Sequence, residues 1–363
     1  MANISRISRQ IVKGLPYLKK ELARDLSIRT GMVLTAPVTY YIIFSGKCNL
    51  ACSFCTIYKE PDPILTEETM LRLVREAKEL SGSGFNISLS GGEPTIYKPT
   101  YSSMALAREL GVNFGMTTNG LALTKDNVKR ILGHDPFNIN ISLESVDPEI
   151  NEKLRPGRFS TQRTLQGIAN LLEEKKRTGA RVSVIVKPTI TEINFHTLPD
   201  LVRHFGKEGP VQVNFQPFVG SKDDPHWVKN LSGFAGMVKE LKSLRDDGYP
   251  IIGDDETLDG FVHYFENPPP EGELPHLDLN GKKRNCDIGL RSMFIYPNGD
   301  AHFCDFLKKP IGNIHQNSLR EIFRGETADR QRHHMVNCSI DCQQTCKRKS
   351  SLMSKARAFL KMG

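Results

Sequence analysis

Long hydrophobic runs are absent from this chain. No apolar stretch approaches the roughly 18 residues that a membrane-spanning helix needs. Met1 leads into a polar, basic segment, not the apolar region of a signal peptide. No internal repeat or low-complexity tract interrupts the 363 residues. At 39% hydrophobic and 25% charged, the composition is that of a globular chain able to bury a sizeable core. An integral membrane protein, a collagen-like chain and a disordered chain are thereby excluded. Length suggests two or three domains, and the lack of an export signal makes the cytoplasm the expected compartment.

Two further scarcities are local. Cysteine is missing from the 230 residues between Cys55 and Cys286. Three cysteines lie within Cys48–Cys55 and five between Cys286 and Cys346. In a chain expected in a reducing compartment, such clusters read as metal ligands before disulfides. Acidic residues are scarce at both ends. Residues 1–30 hold seven Lys/Arg against two acids, and residues 331–363 seven against one. Of the net charge of +8, the 300 residues between therefore contribute −3. A mildly acidic body with basic ends is not a uniformly basic nucleic-acid binder, so no nucleic-acid partner is expected.

Both ends are also amphipathic. Ile4, Ile7, Ile11, Leu15, Leu18 and Leu22 recur at steps of three or four among Arg6, Arg9, Lys13, Lys20 and Arg24. Pro16 predicts a split of residues 1–37 into two short helices. Leu352, Ala356, Phe359 and Leu360 share a face amid Lys347, Arg348, Lys349, Lys355, Arg357 and Lys361, predicting a basic helix over 347–363. Such helices either pack on the body with solvated charges, lie on anionic lipid, or receive a protein or peptide.

From residue 39, short β-branched runs alternate with helical patterns. The strands are expected at Thr39–Phe44, Phe85–Ser90, Val112–Thr117, Phe137–Leu143, Arg181–Lys187 and Val211–Gln216. Helical periodicity falls near 67–80, 101–110, 125–132, 163–177 and 197–206. Six βα units predict a parallel sheet with right-handed crossovers, two units short of a closed barrel. The fold class is therefore α/β, a partial (β/α)6 barrel over 38–220, with its chemistry at the C-terminal strand ends. A helical stretch near 231–247 and a Pro-rich linker fill 221–275. Beyond it, Pro297-Asn298-Gly299-Asp300 between two short runs signals a hairpin, in a small cysteine-rich domain over 276–346.

Cys48-x3-Cys52-x2-Cys55 follows the first strand directly. Three thiolates on one loop suit a soft metal centre, and an iron–sulfur cluster, zinc or a fortuitous grouping all remain open from these residues alone. The next strands end in polar groups as well: Ser90-Gly91-Gly92-Glu93-Pro94, then Thr117-Thr118-Asn119-Gly120, then Ser142-Leu143-Glu144-Ser145 followed by Arg155-Pro156-Gly157. Each alone reads as a turn, a cap or a surface carboxylate. Their shared position at one end of consecutive strands does not.

With these motifs in place, the chain resembles the radical S-adenosylmethionine superfamily over about residues 38–220. The resemblance implies that Cys48, Cys52 and Cys55 hold a [4Fe–4S] cluster whose open iron is chelated by S-adenosylmethionine. It implies that Phe54 packs beside the adenine and that Gly91, Gly92 and Glu93 receive the methionine amino group. Thr118, Asn119, Ser142 and Glu144 would contact ribose and methionine, and Arg155 the carboxylate. Val186 and Gln216 would lie near the adenine. An electron donor such as flavodoxin or ferredoxin is implied too.

The second cysteine group resembles SPASM/twitch extensions, with Cys286 and Cys304 flanking the hairpin, Gly312-Asn313 after it, and Cys338-x3-Cys342-x3-Cys346 following. Five cysteines fall short of the full two-cluster pattern. One auxiliary [4Fe–4S] cluster is expected, on Cys286, Cys304 and two of Cys338, Cys342 and Cys346. A zinc site or an unmetallated remnant is the alternative. The expected reaction is hydrogen abstraction from a small-molecule or lipid-like substrate, with peptide maturation as the alternative and a non-enzymatic metal protein as a remote one. About 38 residues precede the first strand, too few for a leader-binding domain. The lack of a corrinoid-binding or RNA-binding module disfavours methyl transfer and tRNA modification. At the barrel mouth, Tyr58, Lys187, Lys222, Asp223 and His226 are ordinary loop residues with no role assigned.

Overall fold

The computed structural model describes residues 2–60, 62–268, 286–304, 309–336, 338 and 342, with residues 2–15 and 336 as backbone only. A long helix, α1 (Ala2–Thr30), opens the chain. The order β1 (Thr39–Ile43), α2 (Glu67–Ser81), β2 (Asn86–Ser90), α3 (Lys98–Glu109), β3 (Asn113–Thr118), α4 (Lys125–Leu132) and β4 (Asn138–Ile141) follows. Then come α5 (Pro148–Leu154), α6 (Ser160–Thr178), β5 (Ser183–Val186), β6 (Thr189–Ile190), α7 (Leu198–His204), β7 (Val211–Val213) and β8 (Gln216–Pro217). Helices α8 (Leu231–Asp246) and α9 (Asp255–Glu266) complete this part.

The six expected strands pair in parallel in the order β1-β2-β3-β4-β5-β7. One face of this sheet is apolar and buried: the register sets Ile42, Ile87, Leu89, Met116, Ile139, Ile141, Val184, Val186 and Val213 on it, while most of the alternate positions are smaller or polar. Each such side chain contributes about 1.5–3 kcal/mol on leaving water. The crossover helices start where short polar side chains cap them. Thr66 accepts from the Thr69 amide on α2, and Thr124 from Asn127 on α4.

The last expected strand is shorter than its sequence pattern. Pairing with β5 stops at Val213, and Gln216–Pro217 pairs instead with Thr189–Ile190 in a separate two-stranded ribbon. Pro188, which has no amide to donate, interrupts the first ladder, and its carbonyl accepts from Gln216. Helix α9 adds a second helix after α8 and ends at Glu266, just before the stretch Asn267–Glu273 read as a linker, of which 269–273 lie outside the described residues, as does the rest up to 285.

The hairpin does not stand apart from the barrel. After α10 (Ile288–Arg291), strand β9 (Ser292–Ile295) runs parallel to β1, from Thr39↔Ser292 to Ile42↔Ile295. Strands β10 (Asp300–His302) and β11 (Gly312–Asn313) extend the same sheet antiparallel, giving nine strands ordered β11-β10-β9-β1-β2-β3-β4-β5-β7. Helices α11 (Leu319–Arg324) and α12 (Glu326–Val336) pack beneath, with α11 started by a Ser318–Glu321 capping box.

Pro16 does not split α1, which runs unbroken past it. The expectation rested on local cost, about 3 kcal/mol for an interior proline. Tertiary docking outweighs it: Tyr17 accepts from Asn113 Nδ2 at 2.7 Å, and Gly84 lies so close that a Cβ there would sit 2.9 Å from Pro16. The predicted helix over 347–363 lies outside the described residues. Among those described, no helix is long and apolar enough to cross a membrane.

Candidate radical and iron–sulfur site

Every strand-end motif gathers at the C-terminal edge of the parallel sheet. The loop after β1 carries Cys48, Cys52 and Cys55, Cys52 buried and the other two half-buried. All seven described cysteines are free thiols. The trio interacts mutually. Burial pushes the Cys52 thiol up to about 11, with Cys55 and Cys48 adding to the rise, and burial also raises Cys48. The chain's own donors face these sulfurs: Arg155 Nη1 stands 3.4 Å from Cys52 Sγ, and Asn119 Nδ2 3.9 Å from Cys48 Sγ. Three thiols on one loop, with Arg155 and Asn119 directed at their sulfurs, are an all-thiolate donor set that fits an iron–sulfur cluster.

The glycine pair after β2 owes its identity first to this loop. A Cβ on Gly91, whose φ is 128°, would stand 2.6 Å from the Ser45 carbonyl, and one on Gly92 1.7 Å from the Lys47 carbonyl. In place of that contact, Gly92 and Glu93 donate their amides to Ser45 and Lys47 at 2.7 and 3.0 Å. The GGE segment thus clamps the start of the cysteine loop.

Glu93 is 1% exposed and fully engaged by the chain itself. Its Oε1 accepts from the Thr95 amide, Thr95 Oγ1 and Thr118 Oγ1 at 3.0, 2.6 and 2.7 Å, and its Oε2 from the Asn119 amide at 2.7 Å. Asn119 Nδ2 in turn donates to Asn49 Oδ1 at 2.7 Å. Glu93, Thr118 and Asn119 are thus one network holding β2, β3 and the cysteine loop together.

Glu144 and Arg155 form a second network. Glu144 is wholly buried, and Arg155 meets its Oε1 through Nε at 2.7 Å and Nη2 at 2.6 Å. Its Oε2 accepts from the Thr189 amide. Burial drives the Glu144 carboxyl upward. Burial also works against the Arg155 charge, but Glu144, Cys52 and Cys55 outweigh it and hold the guanidinium above its ordinary range. Arg155, expected at a ligand carboxylate, is directed at Glu144 and Cys52, with Phe54 under its guanidinium at 5.4 Å. Ser142 is half-exposed at the strand end, Val186 is buried in the sheet core, and Gln216 sits on the separate ribbon.

Sequence reasoning passed over a contact at the mouth. His226, 7% exposed, joins Ser53 Oγ through Nε2 at 2.9 Å and Asp224 Oδ1 through Nδ1 at 2.7 Å. Its ring packs between Phe54 and Phe218. The Asp224-x-His226 spacing was the available signal. Tyr58 and Lys187 are half-buried, while Lys222 and Asp223 are exposed.

In the second cysteine group, Cys286, Cys304, Cys338 and Cys342 are half-buried. Burial pushes the Cys286 thiol up to about 11, with Cys338 and Cys304 near enough to add to it. Cys346 lies outside the described residues.

A thiol trio and polar strand ends on an open parallel barrel define an enzyme built around an iron–sulfur cofactor. Residues 42–209 match the family model of the Radical SAM superfamily, and residues 286–348 that of SPASM, an iron–sulfur cluster-binding domain. Among curated relatives, Fe-coproporphyrin III synthase of Methanosarcina barkeri is 25% identical over 294 residues, 76% of this chain and 71% of that protein. Mycofactocin maturase MftC of Mycolicibacterium smegmatis is 27% identical over 312 residues, 84% of this chain and 72% of that one. In fold, SuiB of Streptococcus suis bound to S-adenosylmethionine superposes with a TM-score of 0.64 at 18% identity, covering 86% of this chain and 75% of that chain. The chain belongs to the radical SAM superfamily and carries a SPASM domain; it is an enzyme of S-adenosylmethionine, a [4Fe–4S] cluster and auxiliary iron–sulfur chemistry.

Proposed function

We propose that Cys48, Cys52 and Cys55 hold the radical-generating cluster and that the enzyme abstracts hydrogen from a compact, small-molecule or lipid-like substrate. The bound cofactor pair supplies one-electron cleavage of S-adenosylmethionine and a 5′-deoxyadenosyl radical. The chain's residues position and screen. Gly91 and Gly92 let the cysteine loop seat on β2, and the backbone they expose, with Glu93, Thr118 and Asn119, forms the wall for the methionine end. Arg155 neutralises thiolate charge at Cys52, and Glu144 holds Arg155 in place. Phe54 and Ser142 flank the nucleoside. Cys286, Cys304 and two of Cys338, Cys342 and Cys346 hold one auxiliary cluster. An external donor such as flavodoxin or ferredoxin supplies the electron, and the basic ends put the enzyme in peripheral contact with a membrane.

One observation carries the compact-substrate reading. The connection between β8 and α8 crosses to the cysteine loop and is fastened there by the Ser53–His226 hydrogen bond at 2.9 Å. A connection fastened onto the cysteine loop narrows the approach on that side, which favours a short substrate over a threaded chain. Peptide maturation is the second reading, supported by the relatedness to MftC and to the sporulation killing factor maturation protein SkfB of Bacillus subtilis.

Reduced, cluster-loaded protein should form 5′-deoxyadenosine slowly from S-adenosylmethionine, and a low-mass cell extract should accelerate it. Acceleration that survives protease treatment of the extract supports the compact substrate. Acceleration abolished by protease transfers the assignment to a peptide. Absence of 5′-deoxyadenosine from loaded protein would sink both readings.

A further inference from the structure

Helix α1 faces the wrong way for a helix that merely covers a core. Lys20, Arg24 and Ser27 point into the protein, Arg24 and Ser27 being 7% and 3% exposed. Lys20 Nζ donates to the Pro37 carbonyl at 3.3 Å and lies 5.3 Å over the Phe85 ring. Arg24 Nε stands 3.0 Å from Asp287 Oδ2, paired as charges without hydrogen-bond alignment, and its two Nη atoms engage Glu21. On the opposite face, at steps of four, Leu18, Leu22 and Leu26 are 50%, 62% and 49% exposed. A buried basic face with an exposed leucine face reverses the ordinary arrangement.

The exposed stripe is a concentration, not scatter. Among the described residues, ten large hydrophobic side chains are exposed, and five of them, Leu18, Leu22, Leu26, Met32 and Leu34, fall within 17 residues. The sequence continues the same spacing toward the N-terminus through Ile4, Ile7, Ile11 and Leu15. Leu18, Leu22 and Leu26 span more than two turns of one helix, about 12 Å, and such a row fits a plane better than a globular groove.

Charge selects the occupant. Helix α1 holds seven Lys/Arg and two acids. Pairing it with a second copy sets two such helices side by side and repels, whereas an anionic lipid surface attracts the same charge. Exposed Lys19 and Arg29 adjoin the leucines and can reach headgroups as the leucines enter the acyl boundary.

The helix also fixes orientation. Its contacts are to Pro37, Gly84, Phe85, Asn113 and Asp287, all at or just before the N-terminal ends of β1, β2, β3 and β9. That is the floor of the barrel. The cysteine loop and the polar strand ends stand at the other edge.

We propose that the outward leucine face of α1 lies on an anionic membrane surface, with the barrel floor against the lipid and the mouth open to water. Peripheral contact is the premise; the radical chemistry is not. Full-length, cluster-loaded protein is mixed with vesicles of equal parts phosphatidylglycerol and phosphatidylcholine, or of phosphatidylcholine alone, and floated on a density gradient. It should float with the anionic vesicles only, and less at high salt. The variant carrying Leu18→Ser, Leu22→Ser and Leu26→Ser should lose flotation by about tenfold or more, with its 5′-deoxyadenosine formation intact. Anionic vesicles should leave that formation unchanged in the parent protein.

Unchanged flotation of the triple variant overturns the assignment to α1 and leaves peripheral contact to other residues. No flotation of the parent protein overturns both. A dimer by light scattering that the triple variant turns into a monomer makes a second copy the occupant. Loss of 5′-deoxyadenosine on anionic vesicles overturns the orientation.

Discussion

Glu93 shows how one carboxylate can tie two strand ends to the loop that follows another. It receives four hydrogen bonds from Thr95, Thr118 and Asn119 while 1% exposed. Glu93→Gln substitutes a donor for one acceptor oxygen, so an amide or hydroxyl hydrogen meets another hydrogen in a buried place. Such a mismatch costs about 1–3 kcal/mol. The variant should bind S-adenosylmethionine roughly tenfold or more weakly by calorimetry and melt at lower temperature without it. Equal binding and melting would assign the network no positioning role. The motif was legible in the sequence, because GGEP and the strand-end Thr118-Asn119 are local. The partners were not. That Gly92 is crowded by the Lys47 carbonyl, or that Arg155 faces Glu144 and Cys52, depends on contacts between residues as many as 103 apart.

At the scale of elements, period and caps made the barrel readable. Strands β1 to β5 and helices α2, α4 and α6 fall within a few residues of their patterns, since one buried face gives each strand an apolar residue at every second position and each helix one at steps of three or four. Helix α1 was misread because a local rule about Pro16 met a tertiary dock. That dock has a pH signature. Burial lowers the Lys20 ammonium from 10.5 to about 8. A folded value below the unfolded one means that the neutral amine favours the docked state. Stability is then present above pH 10.5 and lost as pH falls through about 8. Lys20→Met keeps the stem against Phe85 and has no proton to gain. Thermal melting should show it more stable than the parent at neutral pH, with the slope between these limits flattened. A slope that persists in the variant would place the titrating group elsewhere.

At the scale of the molecule, one sheet carries both cysteine groups, and Cys286 stands at the edge opposite the cysteine loop. Cys48, Cys52 and Cys55 follow the C-terminal end of β1, whereas Cys286 precedes the N-terminal end of β9, which lies parallel beside β1. A strand of four or five residues separates the edges by about 15 Å. The sequence showed two groups and the hairpin, but not that β9 would join β1, because the pairing partner of a strand is not written in the strand itself. Continuity of the sheet holds the hairpin of the SPASM segment fixed against β1 of the barrel. Cys304→Ala should therefore remove the auxiliary cluster alone, lowering iron from about eight to about four atoms per chain. It should retain most 5′-deoxyadenosine formation, while Cys52→Ala abolishes it and leaves the auxiliary iron. Both are read by iron analysis and chromatography on the same reconstituted samples. If Cys304→Ala were to stop cleavage with its remaining iron intact, the auxiliary site would be part of radical generation itself. Electrons would then enter through the SPASM segment before reaching the loop after β1.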